Sequence, residues 1–372
     1  MPFLLKHHFN PNWDPAKLTP EEQADGSVDH TRLNFVQSFT AGDVIAEWVE
    51  PEASGEDTES RFLYDTKVFP AGKGTGIRKK CPDKLFAAVD GYACYRDEKI
   101  VVRQTLTVRR DVDYHTGNID FIADIVLEGS VRSGFEIIGR TVSVRDQIEA
   151  AHVKARQELR CKGGVKGGGG AFLESARNMK LAYCENGTLK SRRDILIKGA
   201  LMHSDVFADG RLAVGGRLTG GTVHAYESVY VGGQLGGGLD TITAVVLGYQ
   251  PSLLYKDAEH NRRIKQLHAD IASYEKALNK NDEYRDEIRF LQESAIKELE
   301  LLKALKVKLW DGIYATERLD RCKVIVPGVV KPGVEVSIGS AYLKVDDYLE
   351  NVYFYYENDD VKIGYSTAKD RR

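Results

Sequence analysis

Between Ile119 and about Leu247 one aliphatic pattern recurs, and nothing else in the chain restricts its fold so narrowly. The anchors Ile119, Ile125, Val131, Ile137, Val142, Ile148, Val153, Leu159 and Val165 stand five or six positions apart. After a glycine-rich interruption the series resumes with Ile195, Leu201, Val206, Leu212, Leu218, Val223, Val229 and Leu235. Three steps add to a period of 17, as in Ile125, Val142 and Leu159 or Ile195, Leu212 and Val229.

A helix would place apolar residues three and four apart. Here each anchor has a partner two positions away, as in Val153/Ala155, Leu159/Cys161, Val206/Ala208 and Val229/Val231, which is the spacing of a short strand. Three strands per period, with Gly, Asp, Asn or Ser at the corners, predict a mainly β chain built on a three-sided parallel β-helix. One such coil cannot bury its inner face, so coils stack about 4.8 Å apart; roughly seven would form a rod on the order of 35 Å long. The general rule for parallel crossovers makes the expected hand right-handed.

Length and charge exclude some functions. A chain of 372 residues can hold two or three domains. Its 52 basic and 55 acidic residues leave a net charge of −3, so no global attraction draws it to nucleic acid or anionic lipid. Cys81, Cys94, Cys161, Cys184 and Cys322 form no C-x-x-C pair, which fits reduced thiols rather than a disulfide frame or zinc site. Neither a leader peptide nor an apolar run long enough to span a bilayer is found, and a cytoplasmic protein without an integral membrane segment is expected.

The expected organisation is an irregular, proline-bearing N-terminal arm (1–32), a small β domain (33–110), the parallel β-helix (111–250), an antiparallel coiled-coil helical hairpin (251–312) and C-terminal strands capping the β-helix (313–372). In the small β domain, strand-like runs cover Val44 to Val49, Phe62 to Phe69, Leu85 to Val89 and Ile100 to Val108. Its Gly72-Lys73-Gly74-Thr75-Gly76, followed by Arg78, Lys79 and Lys80, has the composition of a phosphate cradle. The spacing matches neither common phosphate-loop pattern and no clear helix follows, so a turn with solvated lysines is the expectation.

The join to the β-helix carries a resemblance. Asp111-Val112-Asp113-Tyr114-His115-Thr116-Gly117-Asn118-Ile119-Asp120-Phe121, then Val131 to Phe135, is similar to the signature of the FapA family, the DUF342 proteins, named for a member implicated in flagellar assembly. Glu174-Ser175-Ala176, Val223-His224-Ala225, the charged helical hairpin, Val326-Pro327-Gly328-Val329 and Ile338-Gly339 continue the likeness over roughly positions 40 to 364, while the stretch at Gly55-Glu56-Asp57 is abbreviated. The resemblance implies a scaffold or assembly role more than a reaction, and supplies no catalytic residues.

Within the β-helix, Lys162 to Gly170 lengthens one turn, since Leu159 to Met179 exceeds the period by three positions, as a flexible corner loop would. His152, His203 and His224 invite comparison with β-helix acyltransferases, but each sits beside an inward position and is expected to face solvent. Asp111, Asp113 and Asp120 are the one local acidic cluster, which turn chemistry explains as well as calcium would. No catalytic, cofactor-binding or metal-binding residue is assigned.

After Gly248 the period becomes helical. Ile264, Leu267, Ile271, Tyr274 and Leu278 face Tyr284, Ile288, Leu291, Ala295, Leu302, Leu305 and Leu309 across a turn at Asn279-Lys280-Asn281-Asp282, with Glu298 as a polar intruder. Ile296 and Leu299, with Leu301, form an apolar stripe outside that seam. The candidate interaction residues are Ile264, Leu267, Ile271, Leu278, Ile288, Leu291, Ile296, Leu299, Leu302 and Leu305 on the hairpin, with Lys162, Lys166, Gly167 and Gly168 on the glycine corner. The reading is a non-enzymatic scaffold that binds protein partners, with homo-oligomers open and no nucleic acid or cofactor. The alternatives are a bactofilin-like polymer and a β-helix transferase or carbohydrate-active enzyme.

Overall fold

Alternation of inward aliphatic and outward polar residues sets the architecture. The computed structural model describes residues 3–13, 21–22, 28–29, 31, 33, 35–50, 60–238, 240–278, 284–313 and 318–365. The chain divides into two compact units, 1–188 and 189–372. The expected turn at Asn279 to Asp282 and the abbreviated Gly55-Glu56-Asp57 stretch fall outside the described residues.

The first unit opens with a five-stranded antiparallel sheet in the order Leu63–Tyr64, Phe3–His7, Val44–Val49, Cys81–Ala87, Thr75–Arg78. The segment expected to be an irregular arm therefore supplies an inner strand: Leu4 and Leu5 pair with Val49 and Trp48. Phe3, Leu4 and Leu5 beside a proline carry no periodicity of their own, and only a partner far along the chain makes them a strand. The run Phe62 to Phe69 yields only the strand Leu63–Tyr64, after a 3-10 turn at Ser60–Phe62. Ile100 to Val108 breaks at Gln104 into Lys99–Arg103 and Thr105–Val108. Ile45, Trp48, Phe69, Leu85 and Ile100 form this domain's core.

Parallel coils of a β-solenoid follow. In the first unit Ile125 pairs with Val142 and Val142 with Leu159, each step one full period. The bridges Val112, Val131, Ile148 and Val165 make a further line of parallel pairing. Ion pairs between successive coils fasten the outside: Arg132 joins Asp111 to Glu149, and Arg140 grips Asp124 with two hydrogen bonds of 2.8 and 2.9 Å. Those bonds hold the Asp124 carboxyl below its ordinary range. These groups are half-buried at the surface and remain in contact with solvent, which screens each pair.

In the second unit the strands return to their own line after every third: Ile195 to Leu212 to Val229, Leu201 to Leu218 to Leu235, and Val206 to Val223 to Val245. Every anchor predicted to face inward is buried, and burying one such side chain stabilises the fold by about 1.5–3 kcal/mol. Two strands assigned from sequence to the cap belong to the coils. Lys323–Val330 pairs in parallel with Ser228–Val231, and Val334–Ile338 with Thr243–Leu247. The two helices are thus an insertion within the solenoid. Only Ala341–Lys344, Leu349–Glu357 and Asp360–Tyr365 run antiparallel, and Leu349–Glu357 covers the far edge of Lys323–Val330.

Leu212 and Leu196 sit on neighbouring strands of one face, inward and outward respectively. Leu212→Ala should cost about 2–5 kcal/mol in urea unfolding, whereas Leu196→Ala should change stability by under ~1 kcal/mol. Equal losses would contradict an axis filled by the inward residues.

Candidate interaction surfaces

The inserted hairpin is anchored by aromatic packing at its root. Helix α1 (Pro251–Leu278) starts just after strand Thr243–Leu247, with proline at its first position, where no helical donor is lost. The Ser252 amide donates to Asp209 Oδ1 at 2.8 Å. Tyr255 is buried edge-on against Phe207, 5.1 Å between ring centres, and the Lys190 ammonium lies 4.5 Å from its ring centre. Phe207 in turn stacks on His224 at 4.8 Å, with the two planes 15° apart.

This corrects the expectation for His224. The residue is on the outer side of its strand, as the alternation requires, but Phe207 and the base of α1 cover that side. Its Nδ1 is buried with no hydrogen-bond partner among the described residues. Burial pushes the imidazole pKa from 6.5 down to about 4, so the ring is neutral at pH 7. His152 and His203 are exposed as expected.

Helix α2 (Arg285–Ile313) packs along α1. Leu267, Ala295 and Leu299 are the buried centre of the seam, with Ile264, Ile271, Tyr274 and Leu302 packed against them. Four predicted positions change: Leu299 lies in the seam and not on an outer stripe, while Tyr284, Leu291 and Leu305, expected in the seam, are 57%, 42% and 41% exposed. The alternating spacing through Ala295, Leu299 and Leu302 passes Gln292 and Lys306, both half-buried, whereas apolar identity alone favours the leucines one position earlier. Ile288 and Leu278 are half-buried, as seam positions near the helix ends, and Ile296 is exposed. Glu298 is bound twice by Arg263, at 2.7 Å each, across the seam.

Moving the register leaves a different surface. Phe290, Leu301 and Leu305 fall within about 60° of one another on the α2 wheel, at roughly 100° per residue. Phe290 is 71% and Leu301 60% exposed. Together they span about 22 Å of that arc at about 1.5 Å per residue, with Ser294 between Phe290 and Leu301. Phe290 was not among the residues singled out from sequence; counting heptads outward from Ala295 would have found it.

The glycine segment is not a loop. Val165–Ser175 is one continuous strand. Val165 bridges Ile148, one period back, whereas Phe172 pairs with His152, three positions further than one period. The three extra positions are absorbed as a bulge at Gly168 to Gly170, all exposed, with Gly168 and Gly169 in the left-handed region at φ 53° and 84°. Lys162 and Lys166 are exposed and Gly167 is buried.

The acidic cluster is spent on structure. Asp111 accepts from the Ser130 amide and the Arg132 guanidinium, Asp113 from the His115 amide at 2.8 Å, and Asp120 pairs with Arg156. No group of three or more His, Cys, Asp or Glu suited to a metal occurs among the described residues. Cys161 is an inward core side chain whose thiol burial pushes up to about 11.

The family model for the Flagellar Assembly Protein A beta solenoid domain matches residues 104–361. The chain belongs to the FapA family. No curated protein and no solved structure matches it. The FapA signature from Asp111 to Phe121 has a structural explanation: Thr116 is fully buried and donates to the Asp111 carbonyl, Asn118 Oδ1 accepts from the Glu136 amide, and Phe121 packs on Tyr92. It builds the first corner of the solenoid. Among the described residues no helix is long and apolar enough to cross a membrane.

Because His224 binds a proton more readily unfolded than folded, its contribution is full above pH 6.5 and is lost as the pH falls towards about 4. His224→Phe should therefore flatten the fall in urea midpoint between neutral pH and about pH 4.5 relative to the unaltered protein. Parallel pH profiles would show that the ring is not withheld from protons.

Proposed function

We propose that this FapA-family assembly protein is a non-enzymatic scaffold. Its solenoid coils act as a rigid spacer, and the outer face of α2 binds a protein partner during assembly of a flagellar or polar structure. The observation that carries the reading is the exposed stripe of Phe290, Leu301 and Leu305 on a helix whose opposite side is already engaged by α1. An isolated exposed leucine needs no explanation, but three large apolar groups on one arc fit the pattern by which a partner helix is recognised.

The root supports the same reading. Tyr255, Phe207, His224 and the bond from Ser252 to Asp209 tie the helix to its solenoid face. A rigidly held helix loses less entropy on binding than a tethered one. The five free cysteines, three of them buried, support a reducing compartment and hence a cytoplasmic protein. Polymerisation through stacked coils is disfavoured at the C-terminal edge of the second unit, where Leu349–Glu357 occupies the backbone groups that another coil would need.

The test is co-purification from the native cell with the full chain carrying Phe290→Glu, Leu301→Glu and Leu305→Glu together. Recovery of the partner seen with the unaltered protein should drop at least about tenfold, as expected when apolar anchors are replaced by charges, with no change in thermal midpoint. Undiminished recovery would remove α2 from the scaffold's binding surface.

A further inference from the structure

The small β domain holds a cationic cleft that plays no part in the scaffold reading. Strands Tyr92–Arg96 and Lys99–Arg103 form a hairpin with Tyr92 opposite Arg103, Cys94 opposite Val101 and Arg96 opposite Lys99. Side chains alternate across a strand, so Ala93, Ile100 and Val102 enter the core and the six residues just paired share the other face. On that face Val101, Arg103 and Arg96 line a cleft of about 470 Å³, together with Val89. Lys73 reaches it from the preceding loop, placed there because its carbonyl accepts from the Val102 amide at 3.0 Å.

The charge is one-sided. No Asp or Glu lines the cleft among the described residues. Among the described residues Arg96 pairs only with its chain neighbour Asp97, 3.8 Å away, with both side chains mostly exposed. Arg103 is engaged by the Tyr92 ring, 6.0 Å from its guanidinium carbon, and neither it nor Lys73 has a carboxylate within salt-bridge distance among the described residues. The arginines bracket a short run of strand, about 13 Å at roughly 3.3 Å per residue. Gln104 and Thr105 add an amide and a hydroxyl at the Arg103 end.

The glycine run singled out from sequence serves this cleft indirectly. Gly74 has φ 82°, and a Cβ there would lie 2.4 Å from the Val102 carbonyl oxygen. Glycine therefore lets the loop close on the hairpin and bring Lys73 to the cleft that Arg103 also lines. The cations that follow the run play another part: the Arg78 guanidinium carbon stands 4.3 Å from the Phe86 ring centre.

We propose that this cleft binds a phosphorylated small molecule of nucleotide size, its phosphate held by Lys73 and Arg103 and its less polar body laid across Val101 and Val89 towards Arg96. Guanidinium and ammonium groups together suit a phosphate dianion, and the volume lies within the usual range for small-molecule sites. The site shares no residue with α2, and its failure would leave the scaffold reading untouched.

Calorimetric titration of the full chain with ADP, pyrophosphate and adenosine, at low and at physiological salt, tests it. ADP and pyrophosphate should bind saturably, more weakly at the higher salt, and adenosine should not. Arg103→Gln and Lys73→Gln should each weaken ADP binding by about tenfold, the loss of one charge-assisted hydrogen bond, while the thermal midpoint stays put. The proposal is overturned by the absence of saturable ADP binding at low salt, by adenosine binding as well as ADP, or by ADP binding that neither substitution weakens.

Discussion

A single coil of this chain cannot fold alone, and that constraint governs the rest. Its inward residues, such as Ile195, Leu201 and Val206, are covered only when Leu212, Leu218 and Val223 of the next coil pair with them. Backbone pairing between coils and burial of the aliphatic axis therefore arise together. Any change in coil length must be absorbed outside the axis, since a one-residue slip would turn every inward side chain outward. The chain obeys this at two scales. Gly168 to Gly170 bulge without disturbing Val165 or Leu173, and the whole helical hairpin leaves after Leu247 and returns at Lys323, where Val324 pairs with Val229 as if nothing intervened.

The hairpin's root shows how an insertion is fixed to the solenoid. A helix pair joined to a coil only by its ends would swing. Here the first turn of α1 lays Tyr255 on Phe207, and Phe207 on His224. Burying an imidazole nitrogen without a partner costs free energy, which the ring stack and the bond from Ser252 to Asp209 offset. Position is gained in return: the root of α1 is set by packing on the solenoid face, and α2 packs along α1.

The coils were legible because their period is local. The recurring anchors and their partners two positions on appear in any window a few coils long, and each predicted anchor is buried. The strand Phe3–His7 was not legible, since its signal lies in distant partners, Val44–Val49 and Leu63–Tyr64. The hairpin's existence could be read from heptads, but its register could not. Leu291 and Leu305 are better seam residues by composition than Gln292 and Lys306, and the opposing helix selected the latter by geometry. The cationic cleft was half visible: Lys73 stood in the glycine run, while Arg96 and Arg103 joined it only through a hairpin register.

By itself the sequence determined the solenoid, its inward residues, the inserted helical pair and the family, because each rests on periodicity or on a contiguous signature. Tertiary structure alone decided that His224 would be covered, that Leu299 would face inward and Phe290 outward, and that three distant cations would share one cleft. Those outcomes depend on which surfaces meet. A linear pattern specifies the faces of each element but not the partner that will cover them.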